Sequence, residues 1–268
     1  YLKGRIHVDT ENSFIHKECG LQGLIELARF TRTPLQKTAR SSIGSAMTNL
    51  QLYWARRNEV LVPWRKSEPE DFKTALKLLE ADRGGFIHEP EIGFHENVGE
   101  IDFASFYPTM MKNYNISPET VLCKCCRDSN ERVPKLDYNI CEKKEGLIPQ
   151  VLRPILENRQ KYKSLAKKSQ EKSAEEVYDR RQEALKWILV TCFGYLGYRN
   201  AKFGRIEAHE AVTAFARKKL KEASKIAERE GFKVIHGIVD SLWVKKEDVS
   251  GGELSSLCEK IEEETDLP

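Results

Sequence analysis

No stretch of the sequence approaches the roughly 18 consecutive apolar residues that a membrane-spanning helix needs. The first segment, Tyr1-Leu2-Lys3-Gly4-Arg5, lacks the apolar core of a secretory signal. Both absences point to a cytoplasmic protein with no membrane partner. A dominant charge is missing too: 44 Lys and Arg against 41 Asp and Glu leave +3 on 268 residues. Bulk electrostatics therefore permits nucleic acid without demanding it. There is no internal repeat, no long low-complexity tract and no initiator methionine, and the chain stops at Asp266-Leu267-Pro268 directly after a helical pattern. A piece of something longer is expected. An even number of cysteines is also lacking. Of the seven, Cys123, Cys125, Cys126 and Cys141 cluster, and an odd, clustered set does not read as a disulfide framework. Their spacing, C-x-C-C-x14-C, is not a common zinc pattern, so reduced thiols are the default, with a structural Zn2+ or a local disulfide left open.

What is present begins with Gly99-Glu100-Ile101-Asp102-Phe103-Ala104-Ser105-Phe106-Tyr107-Pro108, where an apolar strand delivers a single carboxylate to a sharp turn closed by proline. Before it, Arg5-Ile6-His7-Val8 reads as a strand and the run around Gly23 to Ala28 as helix. Asp9-Thr10-Glu11 has the form of a metal-nuclease triplet, but no further carboxylate set completes a metal site and solvated turn residues are the preferred reading. Helices are expected over 41–57 and 70–81, the second ending at Gly84-Gly85, which suits a tight backbone approach. Strands at 86–90 and 97–103 then frame Asp102, and beyond Pro118 comes an irregular, cysteine-bearing loop.

The longest helical region, Pro149 to Tyr198, is broken at Ser169-Gln170-Glu171-Lys172-Ser173, which predicts two antiparallel helices forming an arm rather than a core layer. Arg159, Lys161, Lys163, Lys167 and Lys168 lie on the first helix and Arg180, Arg181 and Lys186 on the second. A helix over 207–230 ends at Gly231, and a hairpin from Lys233 to Val244 carries Asp240 near its tip.

In that order the pieces resemble the polymerase core of family B DNA polymerases, the archaeal ones above all. Asp102-Phe103-Ala104-Ser105-Phe106-Tyr107-Pro108 is similar to D-x-x-S-L-Y-P, Lys186 through Gly194 to Tyr198 to the K-x-x-x-N-S-x-Y-G helix, and His236-Gly237-Ile238-Val239-Asp240-Ser241 to Y-G-D-T-D-S. Asn115-Ile116-Ser117-Pro118 and Gly146-Leu147-Ile148-Pro149 add supporting likeness, and the match runs from about Arg40 to Val244. The resemblance implies an α+β fold: a palm with an antiparallel sheet over 41–145 and 199–268, a two-helix fingers arm over 146–198, and a remnant of the preceding exonuclease region over 1–40. The thumb and an intact exonuclease would be absent, and with them proofreading and a firm grip on primer-template DNA.

The resemblance further implies nucleotidyl transfer from dNTPs to a primer 3'-hydroxyl with two Mg2+ ions, which Mn2+ can replace. Asp102 and Asp240 would be catalytic carboxylates binding both metals, with the Phe103 carbonyl as a further ligand. Ser105, Phe106, Arg159, Lys163 and Lys186 would bind the nucleotide's triphosphate, and Tyr107 would exclude a 2'-hydroxyl. Gly84, Gly85, Thr191, Gly194 and Ser241 would contact template or primer, and replication-factor proteins are further expected partners. The chain departs from the pattern at Ile238, which stands for the first aspartate of the third motif. Val190, Thr191 and Phe193 stand for Asn, Ser and Tyr of the second, and Asp82 for the tyrosine of a Y-x-G-G template motif. These departures keep a second expectation open, a non-catalytic paralogue that binds DNA or replication proteins. A nuclease built on Asp9 and Glu11 stands third.

Overall fold

The computed structural model describes residues 3–64, 69–81, 83–247 and 250–268. Among these, helices and strands combine in a mixed α+β fold around a four-stranded antiparallel sheet. The expectation at Asp82 lies outside the described residues. The strands are β1 (Ile87–His88), β2 (Val98–Asp102), β3 (Lys233–Ile238) and β4 (Ser241–Lys245), in the order β1-β3-β4-β2. Register is set by apolar pairs such as Ile101 opposite Leu242, which places Asp102 opposite Ser241.

Five helices matter most to the site. α5 (Phe106–Asn113) follows β2, and α6 (Leu147–Lys168) and α7 (Lys172–Gly197) form a hairpin. α8 (Ile206–Arg229) leads into β3, and α9 (Gly251–Thr265) follows β4. Gly231, in the left-handed region at φ 81°, ends the α8 connection as glycine after a helix does. The start of α6 is capped from a distance. Leu147 N–H donates to Glu119 Oε1 at 2.5 Å, Ile148 N–H to Ser117 Oγ at 3.2 Å, and Gly146 N–H to Asn115 Oδ1 at 2.8 Å. A Cβ on Gly146 would sit 3.0 Å from Thr120 Cγ2. Two stretches about thirty residues apart, Asn115–Pro118 and Gly146–Pro149, are thus one junction that satisfies orphan amides of the helix.

Several local expectations are corrected. Residues 5–8 form no strand; with no partner edge there, Ile6 is exposed. The helix expected over 70–81 is only α4 (Ala75–Ala81), because residues 71–73 are tied to α8, the Asp71 N–H donating to Glu207 Oε1 at 2.9 Å and Lys73 pairing with Glu207 and Glu210. Pro108 closes no turn. It occupies the first turn of α5, where its missing N–H costs no hydrogen bond. The α6–α7 hairpin is not a free-standing arm, since α1 (Phe14–Thr31) and α3 (Ile43–Arg57) pack along α7 and bury Leu185, Ile188 and Leu189. Asp9 is a turn cap: Oδ1 accepts from the amides of Glu11 and Asn12, and Oδ2 from Asn12 Nδ2.

One apolar core runs through α1, α3, α5, α6, α7 and α8 to the inner face of the sheet. Among the described residues no helix is long and apolar enough to cross a membrane.

Candidate active site

The site forms where the sheet's turn end meets the α6–α7 hairpin. Asp102 is the last residue of β2, and Asp240 lies in the connection between β3 and β4. That connection is tight: Asp240 N–H donates to the Ile238 carbonyl at 2.7 Å, and Val239 takes φ 56°, an uncommon conformation for a β-branched residue. Two contacts hold it there. Val239 N–H donates to the Phe86 carbonyl at 2.8 Å, and Phe103 N–H to the Asp240 carbonyl at 3.0 Å.

Asp102 and Asp240 line one cleft of about 430 Å3 together with Phe103, Ser105, Phe106, Tyr107, Arg159, Lys163, Lys186, Leu189, Val190 and Phe193. Asp102 is oriented by Ser241, whose hydroxyl donates to Oδ1 at 2.8 Å. Burial pushes the Asp240 carboxyl above its usual range, and the like charge of Asp102 pushes it further. Two carboxylates in mutual repulsion at a cleft make a hard-oxygen donor set that a divalent cation relieves, so these residues fit Mg2+.

Facing them are cations from the hairpin. Arg159 Nη1 donates to Ser105 Oγ at 2.6 Å, while its buried Nε has no hydrogen-bond partner. Burial and then the neighbouring Arg159, Lys167 and Lys186 lower the Lys163 ammonium from its ordinary value. Crowded cations form a field suited to a polyanion. Lys186 pairs with Glu183 at 3.1 Å, an acid in the midst of these cations. Ser105 stands at φ 54° as the N-cap of α5, so the first amides of that helix open beside Arg159.

Tyr107 packs between neighbours. Its ring lies 4.3 Å from Phe193, which stacks at 4.1 Å on His209. Burial first, then the charge of Asp240, raises the Tyr107 hydroxyl. A Cβ on Gly85 would come 3.2 Å from that hydroxyl and 3.1 Å from Val239 Cγ2, so the glycine allows the β1 approach to close against both. Gly84, at φ 61°, presents its carbonyl to Arg217 Nη1 at 2.6 Å.

The structure therefore brings together Asp102, Phe103, Ser105, Phe106, Tyr107, Arg159, Lys163, Lys186 and Asp240, with Gly85 directly behind Tyr107. Thr191 is set apart, its hydroxyl bonded to the Trp187 carbonyl of its own helix at 2.8 Å, and Gly194 is exposed with open space where a Cβ would stand. Ser241 spends its hydroxyl on Asp102. Sequence reasoning did not single out Glu183 and Leu189. Their signal was available, because both flank Lys186 within one turn of helix.

The sequence matches the model of DNA polymerase family B over residues 34–266. The chain belongs to DNA polymerase family B. Its relatives include DNA polymerase 2 of Saccharolobus solfataricus, 36% identical over 267 residues, which is all of this chain and 39% of that protein. The DNA polymerase of Archaeoglobus fulgidus is 33% identical over 96% of this chain and 31% of that protein. Among solved structures, the family B DNA polymerase from the hyperthermophilic archaeon Pyrobaculum calidifontis superposes with a TM-score of 0.70 at 32% identity, covering 92% of this chain and 31% of that one. The family B chain described here thus spans under two fifths of the length of these relatives. Ile238 stands at the end of β3, 39% exposed, and Val190 lines the cleft, 62% exposed.

The four clustered cysteines lie well apart from this cleft in the chain, within the loop between α5 and α6. All four are free thiols whose ligand atoms fall within 4.8 Å of one another.

Proposed function

We propose that this chain is the palm and fingers core of an archaeal-type DNA polymerase, transferring deoxynucleotides to a primer 3'-hydroxyl on a DNA template. The observation that carries this reading is the single cleft in which the carboxylates of Asp102 and Asp240 face Arg159, Lys163 and Lys186. In it the sheet and α5 are the palm, and α6 and α7 the fingers.

Two Mg2+ ions held by Asp102, Asp240 and the Phe103 carbonyl would supply Lewis-acid activation of the attacking hydroxyl and neutralise phosphate charge. The chain's own residues do the rest. Ser241 fixes the rotamer of Asp102, so one carboxylate is preorganised by a 2.8 Å bond. Arg159, anchored through Ser105, brings its guanidinium charge to the cleft for a phosphate. Lys163 and Lys186 come from successive helices and add charge on the side where pyrophosphate departs. Tyr107, wedged by Phe193 and Gly85, presents a fixed ring to the sugar and would exclude a 2'-hydroxyl.

The test is primer extension with Mg2+ or Mn2+ by a polypeptide carrying this sequence, compared with Asp102→Ala and Asp240→Ala. Both changes are expected to reduce extension about 10³-fold or more while DNA binding survives. Extension that persists in both would refute the site.

A second reading, a paralogue of reduced or absent activity that binds DNA or replication proteins, is favoured by the exposed apolar side chains at Ile238 and Val190, where the family's motifs place an aspartate and an asparagine. DNA binding without extension in the unaltered protein would select it.

A further inference from the structure

The geometry assigns a structural Zn2+ site to Cys123, Cys125, Cys126 and Cys141, independent of the polymerase reading. A regular tetrahedron with Zn–S bonds of about 2.3 Å has sulfur–sulfur edges of about 3.8 Å. The thiols sit at that spacing: Cys125 to Cys141 is 3.6 Å, Cys125 to Cys126 is 3.7 Å and Cys126 to Cys141 is 3.9 Å, and Cys123 falls within the same 4.8 Å cluster.

What surrounds the sulfurs is a set of hydrogen bonds that fixes the backbone carrying them. Asn139 Nδ2 donates to the Cys123 carbonyl at 3.0 Å and the Cys126 carbonyl at 2.9 Å, and lies 3.4 Å from Cys123 Sγ. One buried amide thereby fixes both ends of the Cys123–Cys126 segment. Cys141 is fixed from the other side, its N–H donating to the Thr120 carbonyl at 3.0 Å and its carbonyl accepting from Asn115 Nδ2 at 2.8 Å. Such outer contacts orient ligands before the ion arrives.

Packing alone gives these cysteines no other purpose. Cys123, Cys126 and Cys141 form a buried cluster of their own, separate from the main core and without a leucine, isoleucine or phenylalanine in it. Three of the four thiols are buried and Cys125 is exposed, which leaves an entry path for the ion. The lobe has as sheet the isolated bridges Val121 to Ile140 and Arg132 to Asn139 and reaches the main core through Val121, Val133 and Ile140, while its cysteine end lies outside that core and is the kind of element a metal staples. Staples of this sort matter here because Asn115, which holds Cys141, also caps the first turn of α6 through Gly146.

The experiment measures metal content and thiol state on the full 268-residue chain. Elemental analysis after expression in zinc-containing medium is expected to give one zinc per chain. Replacement by Co2+ should produce the visible bands of a tetrahedral tetrathiolate, and the acid-denatured mass should correspond to seven free thiols. Cys126→Ser is expected to lower zinc to about a tenth of wild type or less, and Asn139→Ala to weaken zinc about 10- to 100-fold while all four sulfurs remain. A wild-type chain without stoichiometric zinc overturns the assignment. In that case a mass lower by two hydrogens would make the cluster a disulfide, and full thiol content without cobalt bands would make it plain packing. Because the wild-type metal content and cobalt spectrum decide alone, a variant that fails to fold does not shield the proposal.

Discussion

Gly85 and Ile238 are single residues on which the candidate site turns, and each supports a prediction. At Gly85 a methyl group would stand 3.1 Å from Val239 Cγ2 and 3.2 Å from the Tyr107 hydroxyl. The neighbours on that side include backbone, with Val239 Cα at 3.3 Å, so the turn itself would have to give. Gly85→Ala is expected to destabilise the protein by about 1–3 kcal/mol and to lower primer extension more than DNA binding, since the displaced turn carries Asp240. Denaturant melts and extension assays on the same preparation would check this, and unchanged extension would show that Asp240 is placed without help from β1. Ile238 pairs with Ser241 across the hairpin and is partly exposed beside the carboxylates. Ile238→Asp adds a third negative charge to a site where Asp240 is already raised by burial and by Asp102. The variant should melt at a lower temperature than wild type in chelator, gain more from added Mg2+, and extend primers faster. A thermal shift that Mg2+ does not alter would mean the turn's carboxylates hold no metal.

At the scale of elements, the sequence revealed the sheet hairpin and the long helices well and the short elements badly, the strand expected over 5–8 being absent. The β3–β4 hairpin, α3, α8 and the break between α6 and α7 followed from periodicity, Ser and Gly punctuation, and charge. α4 came out short because residues 71–73 obey a tertiary demand that no local pattern reveals: Lys73 lies 3.2 Å from Glu207 and 3.3 Å from Glu210, all three nearly buried. Burial works to raise both carboxyls. At Glu207 the Asp71 amide and Lys73 outweigh it, while at Glu210 burial prevails. Glu207 also has Arg205 at 3.0 Å, whereas Glu210 would keep the Tyr138 hydroxyl at 2.9 Å, so removing Lys73 leaves Glu210 above all without a countercharge. Lys73→Ala is expected to cost about 3–5 kcal/mol in denaturant unfolding, with part recovered by adding Glu210→Gln; a loss under 1 kcal/mol would place the ammonium in solvent. α9 makes a gentler test. Lys246 first, then the Ser250 amide and hydroxyl of its capping box, lower the Glu253 carboxyl to about 2 from 4.5. A depressed carboxyl stabilises the fold above the unfolded value near 4.5, and that contribution fades as pH falls toward about 2. The melting-temperature gap between wild type and Glu253→Gln should accordingly be constant above pH 5 and close between about 4.5 and 2; a gap that survives to pH 2 would assign it to packing.

Across the whole molecule, the candidate site was more legible than its support. The carboxylates, the tyrosine and Lys186 stand in the motifs that carry the family resemblance, and Arg159 and Lys163 lie four positions apart on one helix. The packing behind the cations does not, since it joins residues about 150 positions apart. Tyr162 of α6 donates to Glu26 of α1 at 2.7 Å, and Arg181 Nη2 of α7 donates to Gln22 Oε1 at 3.3 Å. Between them α1 crosses α7 so closely that a Cβ on Gly23 would lie 2.6 Å from the Arg180 carbonyl and collide with Cys19. The N-terminal helices therefore belong to the same cooperative unit as the helices that carry Arg159, Lys163 and Lys186. Gly23→Leu forces α1 off that face, and backbone cannot yield as a flexible side chain would. The expected loss is about 1–3 kcal/mol or more, with amide exchange accelerated along α7 from Arg180 to Leu189 as well as in α1. Faster exchange confined to α1, with α7 protected as in wild type, would instead show that the hairpin stands by itself, as its charge pattern alone suggests.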